Sequence, residues 1–136
     1  MAHYPLESPL SMIDHVTLHV ADIEKSKEFF SKVLKPLNYN LKMDLPEYKV
    51  AGFESGGRPD FWLNGSGASQ TTHIAFTAGG TEAVDMFYKS GIHAGGKDNG
   101  KSGYRKDYSP GYYAAFLLDP DGHNIEAVFH DPIVKS

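Results

Sequence analysis

Three side chains of the kinds that bind transition metals lie on predicted strands: His15, His73 and Glu126. In each strand the apolar residues alternate with the candidate ligand, so the ligand lies on the face that is not packed against a helix. Two imidazoles and one carboxylate, with open positions beyond them, suit one divalent ion of Fe, Mn, Zn, Ni or Co. Such an ion acts as a Lewis acid on a substrate with adjacent oxygen atoms. An unpaired carboxylate in a closed interior would instead be costly.

Two of these candidate ligands occupy equivalent positions in an internal repeat. Residues 15–32, HVTLHVADIEKSKEFFSK, align without a gap on residues 73–90, HIAFTAGGTEAVDMFYKS, so that His15 matches His73. A unit of this size is too small to bury its own apolar face, and it needs a second copy as a neighbour. The pseudo-symmetry of such a pair is expected to bring the two histidines together.

Each copy is predicted to be a βαβββ module, in which an alternating strand is followed by a helix and then by short strands separated by turn residues. The second helix is predicted near 81–90, with Gly91 as its left-handed cap. The later strands are predicted at residues 38–44, 47–54, 60–64, 92–96, 112–118 and 123–130. The expected fold class is α+β: a single domain, 1–136, whose modules at about 12–66 and 70–131 form a cupped eight-stranded mixed sheet.

Composition limits the class of function. The formal net charge is −4 and the lysines are scattered, which does not indicate nucleic acid or an anionic membrane as a partner. The chain has no cysteine, which excludes disulfides, thiolate metal sites and a cysteine nucleophile. No apolar run is long enough to span a membrane, and the first residues lack the pattern of a secretion signal. We therefore expect a cytoplasmic protein that acts on a small molecule.

Residues 95–102, GGKDNGKS, match the pattern of a phosphate-binding P-loop letter for letter. That chemistry requires a helix directly after the pattern, with its N-terminus at the phosphates. Gly103, Pro110 and Gly111 follow instead and disfavour the helix. Residues 95–111 are therefore predicted to be a long loop between two strands, of the kind that often forms a lid.

Five positions are predicted to contact substrate. In the long loop, Tyr104 and Arg105 are placed to meet an anionic or aromatic ligand; a solvated loop is the alternative. Trp62, Tyr112 and Phe116 share the inward parity, so they either line a pocket for a flat or apolar ligand or fill the core. The catalytic base is not identified.

The stretches DHVTLHVADIEKSKEFFSKVL, THIAFTA and LLDPDGHNIEAV resemble the vicinal oxygen chelate superfamily. That superfamily includes glyoxalase I, extradiol dioxygenases, fosfomycin-resistance thiol transferases and bleomycin-binding proteins. The resemblance implies the cupped sheet of two βαβββ modules, and it places the superfamily's metal ligands on His15, His73 and Glu126. Open sheet edges and the resemblance together predict a homodimer, in which a site can be assembled across two chains.

The chain departs from each subfamily at particular positions. Trp62 stands where glyoxalase I has a fourth ligand, Glu or Gln, and Asp60 shares its parity. Phe116 stands where fosfomycin-type transferases have a substrate-binding tyrosine. Three functions therefore stay open: a metal-dependent enzyme of glyoxalase or dioxygenase type, a metal-free protein that binds a bleomycin-type drug, and a fosfomycin-type thiol transferase.

Overall fold

The structure, a computed structural model, describes residues 13–67 and 70–134. Its elements follow one another in the order βαβββ–βαβββ. They are β1 Val16–His19, α1 Ile23–Val33, β2 Asn40–Leu45, β3 Val50–Glu54, β4 Phe61–Asn64, β5 His73–Thr77, α2 Thr81–His93, β6 Lys97–Tyr104, β7 Tyr112–Leu118 and β8 Asn124–His130. This order confirms the predicted α+β class and the two βαβββ modules.

The strands form two four-stranded mixed sheets, one from each module. The strand order is β1-β4-β3-β2 in the first sheet and β5-β8-β7-β6 in the second. The opening strand of each module pairs in parallel with the closing strand, and the other pairs are antiparallel. As a result β1 and β5 are edge strands, and β5 lies directly beside β8, the strand that carries Glu126.

Local sequence sets the start and the buried face of α1. The Asp22 side chain accepts a hydrogen bond from the backbone N–H of Lys25 at 3.1 Å and caps the first turn. Phe29, Phe30 and Val33 recur at helical spacing, and all three are buried. The helix therefore presents one apolar face to the first sheet and to α2.

The second module differs from the sequence prediction over residues 91–111. Helix α2 continues to His93, so the strand predicted at 92–96 is wrong. Gly91 lies inside this helix rather than after it, and a Cβ there would lie 2.0 Å from Cδ1 of Leu117, so the glycine allows close packing on β7. Strand β6 occupies the first half of the predicted loop, with register shifts around Gly100. Residues 97–102 of the P-loop-like stretch thus lie in an antiparallel edge strand, and turns follow this strand in place of the helix that phosphate binding requires.

One hydrophobic core joins the two modules. The rings of Phe61 on β4 and Phe76 on β5 meet edge to face with centroids 5.1 Å apart. Tyr39 packs against the same Phe76 ring at 5.7 Å. Because no strand of one sheet pairs with a strand of the other among the described residues, burial of apolar surface is the main attachment between modules. Neither helix in the described ranges is long and apolar enough to cross a bilayer.

Polar contacts from the β7–β8 turn add to this attachment. The turn closes with a hydrogen bond from Gly122 N–H to the Asp119 carbonyl, 2.9 Å, and Gly122 has a φ of 86°, which favours glycine. The Asp121 side chain accepts the backbone N–H of Ala21 at 3.1 Å, in the β1–α1 connection of the other module. The turn therefore holds the end of β1 as well as shaping its own hairpin.

His123 is the buried member of this turn, only 1% exposed. Its Nδ1 accepts the backbone N–H of Thr72 at 2.9 Å, and its Nε2 donates to the backbone carbonyl of His19 at 3.0 Å. Since an N–H can only donate and a carbonyl can only accept, the ring is neutral with its proton on Nε2. His123 therefore links β1 of the first module to the start of β5 in the second.

Replacement of His123 by leucine is expected to lower the free energy of unfolding by about 2 kcal/mol or more, because two backbone groups lose their partner in a poorly solvated place. Urea denaturation near neutral pH measures the change. His93→Leu makes the same substitution at the exposed end of α2 and should change stability by only about 0.5 kcal/mol. Equal losses for the two variants would contradict the linking role of His123.

Candidate metal centre

Glu126 is a buried carboxylate on the open face of the second sheet. Ile125 and Ala127, its neighbours on β8, enter the core, so the alternation of the strand directs Glu126 to the opposite face. Its side chain is 2% exposed, and Oε1 lies 2.8 Å from Nε2 of His73. The His73 side chain, on edge strand β5, is 51% exposed. Two of the three predicted ligands therefore meet at a point that solvent reaches from the His73 side.

Tyr112, at the start of β7, is the second partner of this carboxylate. Its hydroxyl donates a hydrogen bond to Oε2 of Glu126, so the two carboxylate oxygens have different partners. Burial, followed by the hydrogen bond to Glu126, raises the pKa of Tyr112 to about 12, while the charge of Arg105 acts in the opposite direction. The hydroxyl therefore keeps its proton at neutral pH and remains a donor.

The separation of the His73 and Glu126 atoms fits two ligands of one ion. With metal–ligand bonds of about 2.0–2.2 Å, atoms in neighbouring coordination positions lie about 3 Å apart, and the observed separation is 2.8 Å. Imidazole nitrogen and carboxylate oxygen are donors that Fe, Mn, Zn, Ni and Co accept. The Tyr112 hydroxyl supplies the kind of outer hydrogen bond that fixes a ligating carboxylate in place.

The wall beside this pair is aromatic and cationic. Phe116 is the register partner of Glu126, and its ring centroid lies 6.3 Å from that of His73. The guanidinium carbon of Arg105 lies 5.4 Å from the same Phe116 centroid, which is a cation–π contact. A cavity of about 290 Å³ opens at this wall, lined by Asn99, Gly100, Arg105, Tyr108, Phe116 and Asn124.

Tyr104 lies on the other face of the second sheet. Its register partner is Tyr113, whose hydroxyl donates to Asp85 on α2 at 2.7 Å, and the two tyrosine rings meet edge to face at 4.9 Å. The Tyr104 hydroxyl donates to Asp131 at 2.8 Å. Tyr104 is therefore separated by the sheet from Glu126, and it does not share the wall that Phe116 and Arg105 form; its predicted substrate contact stays a prediction. The cause of this placement is the irregular register of β6, which alternation in the sequence does not reveal.

His15 lies on the open face of the first sheet. Its side chain is 55% exposed, and Nδ1 lies 2.9 Å from a carboxylate oxygen of Asp14. The hydrogen bond with His15 and then the charge of Arg58 lower the pKa of Asp14. Within one chain, as far as residues 13–67 and 70–134 show, the ring nitrogens of His15 do not join a group of ligand atoms with His73 and Glu126.

Trp62 lies beside His15 and lines the same cavity, of about 210 Å³. A Cβ on Gly52, its register partner on β3, would lie 2.7 Å from Cζ3 of the indole, so the ring lies directly over the glycine. Asp60, which shares the strand parity of Trp62, accepts a hydrogen bond from the hydroxyl of Tyr39 at 2.7 Å. Its carboxylate is therefore engaged at the contact between the modules.

A different set of potential ligands, Asp119, Asp121 and His123, has its side-chain atoms within 4.8 Å of one another. Both ring nitrogens of His123 are already hydrogen-bonded to backbone groups, so no lone pair remains for an ion. Oδ1 of Asp119 accepts the backbone N–H groups of Asp121 and His123, as in a side-chain-stabilised turn. Burial raises the pKa of Asp119, which favours its neutral form. The geometry indicates a structural turn rather than a metal site.

Sequence reasoning missed three features of the described site. Asn124 lies two residues before Glu126 on β8 and therefore on the same face, so strand parity alone could have predicted its place in the site. Asn99 was hidden because the residues around it are predicted as loop. The role of His123 has no sequence signal, because its partners are backbone groups far away in the chain.

The sequence also matches a family model. The model described as Glyoxalase/Bleomycin resistance protein/Dioxygenase superfamily matches residues 12–127. Because this match covers most of the chain, the protein belongs to that superfamily. Comparison with curated protein sequences gave no match.

Solved structures support the same fold. A glyoxalase/bleomycin resistance protein from Albidiferax ferrireducens T118 is 28% identical, with a TM-score of 0.74, covering 88% of this chain and 98% of that one. A lactoylglutathione lyase from Agrobacterium tumefaciens is 20% identical, with a TM-score of 0.66 and coverage of 90% and 96%. A mutant of glyoxalase I from Zea mays is 22% identical, with a TM-score of 0.61 and coverage of 85% and 46%. The last two likenesses concern the fold alone.

The hydrogen bond between Tyr112 and Glu126 is expected to stabilise the metal-free protein. Tyr112→Phe leaves one oxygen of a buried carboxylate without a partner, and it should lower the free energy of unfolding by about 1.5–3 kcal/mol near neutral pH. Tyr104→Phe is the control, because it removes a tyrosine–carboxylate hydrogen bond in an exposed position and should cost about 1 kcal/mol or less. Urea titration of both variants measures the difference, and a smaller loss for Tyr112→Phe would show that Glu126 does not need this bond.

Proposed function

We propose that this chain is a divalent-metal-dependent enzyme of the glyoxalase or dioxygenase type, acting on a small substrate with vicinal oxygen atoms. The observation that carries the proposal is the pairing of His73 with the buried carboxylate of Glu126 at 2.8 Å. Burial of an ionised carboxylate costs several kcal/mol, and alternation along a strand does not require one. A ligand role accounts both for the residue and for its contact with an imidazole.

In this proposal His73, Glu126 and His15 hold the ion. The ion would supply Lewis-acid stabilisation of negative charge on the substrate oxygens. The chain's own contribution is to position: Tyr112 fixes the carboxylate through Oε2 and leaves Oε1 toward His73. Phe116 and Arg105 provide a wall that orients a ligand and excludes water on one side.

We further propose that the complete site is shared between two chains of a homodimer. His15 and His73 are each about half exposed on open sheet faces, and His15 does not reach the His73–Glu126 pair within one chain. A two-fold axis repeats every contact, so one dimer would hold two equivalent sites, each with His15 from one chain and His73 and Glu126 from the other. Residues 1–136 would then act as one functional domain, because both modules contribute to each site.

A metal-free binding protein is the second candidate, because His73 and Glu126 satisfy each other by hydrogen bonding. The pair needs no ion to satisfy its hydrogen bonds, and the adjoining cavity offers Tyr108 and Phe116 together with polar side chains to a small ligand. Metal content separates the two candidates.

Protein purified without chelator and without a histidine tag is expected to contain, or to take up on titration, about one divalent ion per chain. His15→Ala, His73→Ala and Glu126→Gln should each weaken binding at least tenfold, since each removes a ligand. His19→Ala removes an imidazole from the end of β1, four residues after His15, and should leave the affinity unchanged. Elemental analysis and calorimetric titration measure both quantities. No uptake by the unmodified chain would instead establish the metal-free candidate.

Sharing of the site predicts complementation between inactive variants. A dimer of His15→Ala with Glu126→Gln contains one intact site and one doubly altered site if ligands come from two chains. Co-expression of the two variants at equal levels should therefore restore about one quarter of the metal sites, because half of randomly formed dimers are mixed. If all three ligands came from one chain, each chain would lack one ligand and no site would be recovered.

A further inference from the structure

Arg105 is a cation held in place without an anionic partner. Its Nη1 donates to the carbonyl of Gly103 at 2.9 Å, and its Nη2 donates to the carbonyl of Lys101 at 2.6 Å. Among the described residues it has no carboxylate within ion-pairing distance, in contrast to Lys27 or Arg58. The side chain is half-buried. Its position is thus determined by neutral groups, and its charge is not compensated locally.

This cation lies close to the proposed metal ligands. The guanidinium lies over the Phe116 ring at 5.4 Å, and the His73 ring lies 6.3 Å from the same Phe116 ring. Phe116 is in turn the register partner of Glu126. One aromatic side chain therefore contacts both the uncompensated cation and the proposed metal ligands, so a small molecule on this wall meets both.

Neighbouring amides make the place suitable for an oxyanion. Arginine carries five N–H donors in a planar fork, and its two bonds to carbonyls leave the others for a ligand. Asn99 donates to Oδ1 of Asn124 at 3.1 Å, so the NH₂ group of Asn124 is an additional donor at the same cavity.

We propose that Arg105, with the amide of Asn124, forms a subsite for an oxyanion, carboxylate or phosphate, at one end of the substrate, while the vicinal oxygens at the other end bind beside His73 and Glu126. Only the binding of the vicinal oxygens beside His73 and Glu126 rests on the proposed function; the oxyanion subsite does not. It defines the substrate class as an anionic molecule, with a flat or short apolar part between its two polar ends to lie on Phe116. Neutral vicinal diols or dicarbonyls would then be poor ligands.

A pair of probes that differ by one carboxylate tests the subsite: catechol, and 3,4-dihydroxybenzoate, which has the same vicinal oxygens. By calorimetric titration, the full chain is expected to bind 3,4-dihydroxybenzoate at least about tenfold more tightly than catechol, since a charge-assisted arginine–carboxylate contact has that strength. Arg105→Gln should abolish the preference, and Arg105→Lys should retain part of it, because lysine keeps the charge and loses the fork. Lys89→Gln, which makes the same change of charge on exposed α2, should keep the full preference.

Separate arms distinguish the possible outcomes. Performed without metal, the comparison addresses the oxyanion subsite alone: a preference that depends on Arg105 supports it even when the chain binds no ion and the proposed enzyme function fails. Inorganic phosphate that displaces 3,4-dihydroxybenzoate from the unmodified chain, and not from Arg105→Gln, would assign the subsite to phosphate; failure to displace it from the unmodified chain would assign it to carboxylate. Equal affinity for the two probes in the unmodified chain, or a preference that persists in Arg105→Gln, would overturn the inference.

Discussion

The architecture of the second sheet depends on how one buried carboxylate is satisfied. Glu126 lies at 2% exposure between His73 on one neighbouring strand and Tyr112 on the other. Removing a charge from water is costly unless several donors replace the lost solvent. Both donors reach it only when β5, β8 and β7 pair in the observed register, so a slip of one residue would move the carboxylate into the apolar core. Packing on the helices and the chemistry of the open face therefore require the same strand alignment.

Each of the two sheets has one face in the core and one open face, but the open faces carry different residues. One face of each sheet contributes to the common core with α1 and α2, and the other face remains open. On the first sheet the open face offers His15 and Trp62, and on the second it offers the His73–Glu126 pair with its aromatic and cationic wall. The repeat thus supplies His15 to one open face and His73 to the other, while Glu126 and Arg105 occur in the second module only.

Much of the fold and part of the site could be predicted from alternation and repetition. The faces of His73 and Glu126 follow from strand parity, and their proximity follows from the parallel pairing of first and last strands in each module. Strand β6 could not be predicted, because its glycines lower strand propensity and its bulges break the alternation. The same bulges put Tyr104 on the helix face. Contacts of His123 with distant backbone groups, and any contact of His15 with another chain, depend on tertiary and quaternary geometry that local patterns do not encode.

The position of Trp62 over Gly52 has a practical consequence. It is the only tryptophan of the chain, and it lies in the wall of the His15 cavity, whereas the cavity at the Phe116 wall has Tyr108 and Phe116 as its aromatic residues. Indole emission is sensitive to the polarity and the quenchers around the ring. The molecule therefore carries its single indole beside His15, and filling of that cavity can be followed by tryptophan emission in the unlabelled protein.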